Sequence, residues 1–200
     1  MLAEWSAECA ADDPVLVVPW SSNPADPDSP AHFVDLRENP YDLDHLPEAE
    51  QHPPLMQALR ALNAARSPVF TAKCDAWPLD PKEFENLLLN LDLTPSDYTA
   101  GFASYIDLLA RDRALFTSFP QQEQLLSRLT RRAATLDHAD AALECILRPA
   151  LVDLTGPQEG FAISLYIKAV GPDPETAWQR WAAALDAVVV LLRGKDLALA

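Results

Sequence analysis

A thiol beside a lysine is the first arrangement in this chain with the makings of a nucleophile. Cys74 stands in the run Thr71-Ala72-Lys73-Cys74-Asp75, and a neighbouring cation stabilises a thiolate. Carboxylates are the second candidate group. Asp75, Asp107 and Glu144 can do acid–base work if their surroundings push their pKa values apart. Lys73, Arg148 and Lys168 fall in equivalent strand positions, so mutual neutralisation is the simpler expectation for both signs. A hard metal needs several carboxylates free of competing cations, and no metal or other cofactor is expected here. The histidines His32, His45, His52 and His138 are scattered, and no Cys-x-x-Cys or His-x-x-x-His pair occurs, so a structural zinc site has no ligand set.

Motifs that bind nucleotides or activate serine are missing. Glycine accounts for 5 of 200 residues, and neither Gly-x-Gly-x-x-Gly, Gly-x-x-x-x-Gly-Lys-Ser/Thr nor Gly-x-Ser-x-Gly occurs. The charge balance narrows the partners. Thirty acids against 15 bases give a net charge of −15, which repels phosphate backbones and anionic headgroups. Nucleic acid and membrane surfaces are therefore not expected partners. A basic protein partner, a second copy of the chain or a small-molecule ligand remains open. No apolar stretch is long enough to cross a membrane. The start, with acids where a leader would carry basic residues, does not resemble a secretory signal. A cytoplasmic protein is the expectation, and the three cysteines, Cys9, Cys74 and Cys145, are read as free. Cys9 lies among acids, which raise a thiol pKa.

The elements that must position these residues follow from local pattern. Residues 1–68 are rich in proline and acid and read as an N-terminal β-hairpin plus helix. Val15 to Val18 would pair with His32 to Leu36 across a turn-rich loop, and a helix from Pro54 carries Leu55, Leu59 and Leu62. Residues 69–200 read as the main domain. Ser67 to Pro78 is bounded by prolines and reads as a strand. Asp80-Pro81-Lys82-Glu83 caps a helix with Phe84, Leu87, Leu88 and Leu91 on its apolar stripe. Gly101 to Leu109 reads as a strand, although its spacing fits a helix too. A helix from Pro120 buries Leu125, Leu126, Leu129 and Ala133. Pro149 limits the next segment to an edge-type strand over Leu143 to Leu147. Gly160 to Gly171 is the clearest strand. Asp173-Pro174 opens a helix with Trp178, Trp181, Leu185, Val188, Val189 and Leu192 on one stripe, which Gly194 ends.

The order β-α-β-α-β-β-α predicts an α+β fold. Its expected form is a ferredoxin-like two-layer sandwich in permuted order, an antiparallel sheet with helices on one face. Alternation along the strands then sorts side chains between two faces. Phe70, Ala72, Cys74 and Ala76 fall on the apolar side of the first strand and Thr71, Lys73, Asp75 and Trp77 on the other. The apolar side makes Cys74 a buried structural cysteine and not a nucleophile; Cys145 is read the same way.

The second face gathers Lys73, Asp75, Trp77, Tyr105, Asp107, Glu144, Arg148, Tyr166 and Lys168. These nine are the candidate ligand or interface residues, in a protein expected to act by association. A small-molecule enzyme or sensor using the same face is the alternative. Arg111, Arg113, Arg128, Arg131, Arg132 and Arg148 make the middle of the chain locally basic, either as a solvated face or as a dock for acidic surfaces.

Overall fold

The computed structural model describes residues 1–20, 33–38 and 42–194. These form an α+β structure built on one mixed sheet. Its strands are β1 (Leu2–Ala7), β2 (Leu16–Val18), β3 (Val69–Pro78), β4 (Ala100–Ala110), β5 (Ala141–Asp153) and β6 (Pro157–Gly171). The helices are α1 (Pro47–Gln51), α2 (Pro53–Asn63), α3 (Pro81–Asn90), α4 (Arg113–Thr117), α5 (Phe119–Ala133) and α6 (Pro174–Arg193). The strand order is β1-β5-β6-β4-β3, with β2 also on β5. Pairing is antiparallel from β5 through β6 and β4 to β3, whereas β1 and β2 run parallel to β5.

Local chemistry starts the helices where the sequence says it should. The Asp80 carboxylate accepts from the Glu83 N–H at 2.8 Å, and Glu83 accepts in return from the Asp80 N–H at 3.2 Å. Asp173 caps α6 by accepting from the Thr176 N–H at 2.8 Å. A first-turn proline follows each cap, at a position whose N–H has no intrahelical partner anyway. Ser118 caps α5.

One face of the sheet carries the main core. Leu55, Leu59 and Leu62 of α2, Leu125, Leu126 and Leu129 of α5, and Trp181, Leu185 and Val188 of α6 meet it. The sheet supplies Phe102, Ile106, Leu143, Cys145, Leu147, Ile163, Leu165 and Ile167. Full burial of each such side chain is worth roughly 1.5–3 kcal/mol. Trp181 is 0 % exposed and its indole N–H donates to Ser104 Oγ at 2.9 Å.

Four expectations are corrected by this architecture. The N-terminal hairpin does not form among the described residues: Leu16–Val18 pairs with Ala150–Val152 of β5, and residues 33–38 hold no strand. His32 lies outside the described residues. The backbone of Phe33 instead donates to the Trp20 carbonyl. Second, the strand expected at Leu143 to Leu147 is longer and internal, because β1 and β2 pair along it end to end. Pro149 falls between the last β1 pair, at Leu147, and the first β2 pair, at Ala150. Its missing N–H therefore interrupts neither ladder. Third, the sheet is mixed and not purely antiparallel.

The fourth correction concerns faces. Thr71 pairs with Leu108 and Lys73 with Asp107, leaving Ala72 as an extra residue. This β-bulge reverses the alternation upstream of it. Phe70 and Ala72 thus join the face of Lys73, Asp75 and Trp77, and pack with Leu16, Val18, Leu109 and Phe116. Thr71 turns to the helical side, where its backbone N–H donates to Asn63 Oδ1 and its hydroxyl accepts from Asn63 Nδ2. Nor are the helices confined to one face. Leu87 and Leu88 of α3 cover Ala142 and Val170 on the second face, and Phe116 of α4 covers its opposite end.

Candidate functional site

The registers line up side chains across four strands. Asp75, Tyr105, Tyr166 and Glu144 form one row over β3, β4, β6 and β5. Lys73, Asp107, Ser164 and Ile146 form the next; Trp77, Ala103, Lys168 and Ala142 form the row on the other side. Arg148 lies one row beyond, opposite Ala162. All nine candidate residues of the sequence thus share one face. The apolar cluster under α3 closes one end of this band, and the cluster of β2 and α4 closes the other. The band between them is a trough with a polar and aromatic floor.

Its charges are largely matched within the chain. Lys168 Nζ lies 3.0 Å from Glu144 Oε2, and Arg148 Nε donates to Glu8 Oε2 at 2.9 Å. Arg148 Nη1 also donates to Ser164 Oγ at 3.3 Å, and the Ser164 hydroxyl donates to Asp107 Oδ1 at 2.6 Å. Burial holds the Asp107 carboxyl above its ordinary range, against the opposing pull of Ser164, Lys73 and Arg148. Lys73 Nζ stands 4.9 Å from the ring centre of Trp20, whose indole N–H is fixed on the Ala72 carbonyl at 2.8 Å.

The rings form a second system. Trp77 and Tyr105 are 6.2 Å apart between centroids, and Tyr105 and Tyr166 are 5.8 Å apart. These separations suit tilted aromatic packing. Burial, with neighbouring acids, raises the Tyr105 hydroxyl pKa. Trp77 is held further by a 3.3 Å bond from its indole N–H to Glu83 at the start of α3. All three rings are half-buried.

The groups that could do covalent chemistry are poorly placed for it. Ser164 is 2 % exposed and gives its proton to a carboxylate, with no histidine beside it. Cys74 lies on the helical side, where burial pushes its thiol up to about 12. Cys145 is buried and likewise raised. Cys9 is exposed, yet slight burial and Asp13 raise it too. His52 lies on the helical face, edge-on to Phe102 at 5.2 Å. Among the described residues no three of His, Cys, Asp and Glu are grouped to hold a metal ion, and no helix is long and apolar enough to cross a membrane. The arrangement can bind through rings and fixed charges.

Sequence reasoning missed three members of this band. Ser164 shares the alternation of Tyr166 and Lys168, which was the available signal. Glu8 and Trp20 arrive through β1 and β2, and no local pattern ties either segment to β5. Of the remaining arginines, Arg131 and Arg132 are exposed on α5 and Arg128 is half-buried there; Arg111 and Arg113 lie at the β4–α4 junction, outside the band.

Compared with protein-family models, curated proteins and solved structures, this chain matches none.

Proposed function

We propose that this protein acts by association, without catalysing a reaction, and that the aromatic trough between α3 and α4 is its recognition surface. One observation carries the reading: Lys168 and Arg148 are paired within the chain with Glu144 and Glu8, while Trp77, Tyr105 and Tyr166 stay half-exposed side by side on β3, β4 and β6. Tyr, Trp and Arg dominate the energetics of protein interfaces. Rings locked by their neighbours also lose little freedom on binding. The net charge of −15 complements a basic partner and opposes a second copy, so a basic protein is the preferred occupant and a homodimer the other outcome.

The alternative on the same face is a small-molecule enzyme or ligand sensor. Its support is Asp107, a buried carboxyl with a raised pKa near Lys73 and Arg148, since perturbed groups cluster at functional sites. The spatial order β5-β6-β4-β3, antiparallel throughout, with α5 and α6 on one side, supports a ferredoxin-like sandwich in permuted order with β1 and β2 added at one edge. A cytoplasmic location fits the three free thiols.

The experiment is sedimentation over a range of concentrations at near-physiological salt, beside affinity capture, for the wild type and a Tyr105→Ala, Tyr166→Ala double variant. A dimer that the double variant dissociates assigns the trough to a second copy. A monomer that retains a basic protein, lost in the double variant, assigns it to that partner. A monomer whose captured proteins are the same for both chains overturns the reading.

A further inference from the structure

The end of the sheet beyond the trough holds a cavity of about 130 Å³ lined by Arg37, Arg111, Arg113, Phe70, Phe116 and Leu154, among others. In a chain with twice as many acids as bases, three arginines converge there and no carboxylate lines the space. We infer that this cavity binds a small organic acid, its carboxylate on Arg111 and Arg113 and its apolar body against Phe70 and Phe116.

The three guanidinium groups are differently committed. Arg37 is held by both oxygens of Asp35, at 2.8 and 2.6 Å, and stacks 4.6 Å from the centre of Phe70. Arg111 is pinned by backbone: Nε donates to the Val69 carbonyl at 3.2 Å and Nη2 to the Asn63 carbonyl at 2.9 Å. Its Nη1 makes no hydrogen bond among the described residues, and it has no ion pair there. Arg113 makes neither an ion pair nor a side-chain hydrogen bond among the described residues. Asp112, the nearest acid in sequence, is occupied in capping α4 through the Leu115 N–H at 3.0 Å. Arg111 is also lowered in pKa, first by burial and then by the charge of Arg37, against a partial opposing pull from Asp35. An anion would relieve that repulsion. Thr155 and Gln158 add neutral polar groups to the lining.

Size and chemistry select the ligand class. Guanidinium groups match carboxylate oxygens in charge and fork geometry. A closed apolar cavity of about 150 Å³ accepts a benzene ring, and this half-open one of similar volume suits a compact ring or short branched chain. The site shares no residue with the polar and aromatic floor of the trough, although Phe70 and Phe116 belong to the apolar cluster that closes it, and the inference does not depend on the trough's role.

The probe is benzoate, titrated into the full chain by calorimetry and thermal shift. Chloride and inorganic phosphate at equal ionic strength are the controls. Saturable binding of benzoate is expected, with a raised melting temperature because only the folded state binds. Arg113→Gln should weaken it by about tenfold, the scale of one charge-assisted hydrogen bond. Thr155→Glu, which sets a carboxylate beside the arginines from an exposed turn, should abolish it. Both positions are exposed, so the unliganded variants should melt close to the wild type. The inference is overturned if benzoate acts no differently from chloride, if phosphate binds as well as benzoate, or if both variants bind like the wild type.

Discussion

Asp107 is held where a carboxylate is costly. It is 6 % exposed, and its raised pKa means the folded state prefers the protonated acid. Its contribution to stability is then full below the ordinary carboxylate range and lost as pH rises through the raised value. Asp107→Asn keeps an acceptor for Ser164, so it should raise the denaturation midpoint at neutral pH and leave it unchanged in acid. Equal midpoints at both would show that Lys73 and Arg148 offset the burial of the charge. His52 has the opposite sign. Burial lowers its pKa from 6.5, so its contribution is present above that value and lost as pH falls through the folded one. His52→Phe should remove part of the stability loss on going from neutral to mildly acidic solution. Two-state melts of both chains across that range would show it.

At the scale of elements, Trp181 and Gly160 decide how helices seat on the sheet. Trp181 packs 4.7 Å from Phe102 between centroids and bonds the buried Ser104. Trp181→Ala should cost about 3–5 kcal/mol in denaturant unfolding, and Trp181→Phe less, about 1–3 kcal/mol for the orphaned hydroxyl. A Cβ at Gly160 would lie 2.5 Å from the Phe116 carbonyl oxygen and from its ring. Gly160→Ala should therefore push α4 off the sheet, at roughly 1–3 kcal/mol. The elements themselves were largely legible. Asp80, Asp173 and their prolines announce α3 and α6 because capping is a local interaction. The bulge at Ala72 was not, since an unbroken alternation from Phe70 to Trp77 reads equally well. Its cost was the misplacing of Phe70, Ala72 and Thr71, while Lys73, Asp75 and Trp77, downstream of it, kept their face.

For the whole molecule, a net charge of −15 on 200 residues makes self-repulsion a measurable term. Added salt screens it, with a Debye length of about 8 Å at physiological ionic strength. The melting temperature should rise as sodium chloride increases from low to physiological concentration. A flat or falling midpoint would mean that pairs such as Lys168–Glu144 and Arg148–Glu8 matter more than the net charge.

The sequence by itself determined the α+β class, the caps, the apolar stripes of α2, α5 and α6, and the common face of the nine polar and aromatic residues. Each of these depends on spacing within one segment, where geometry repeats every two or 3.6 residues. Tertiary structure alone decided that β1 and β2 extend the sheet in parallel along β5, that α3 and α4 wall the second face into a trough, and that Arg37 meets Arg111 and Arg113. These contacts join segments far apart in the chain. Their energy comes from burial and pairing between surfaces that no local pattern links, so only the folded chain brings them together.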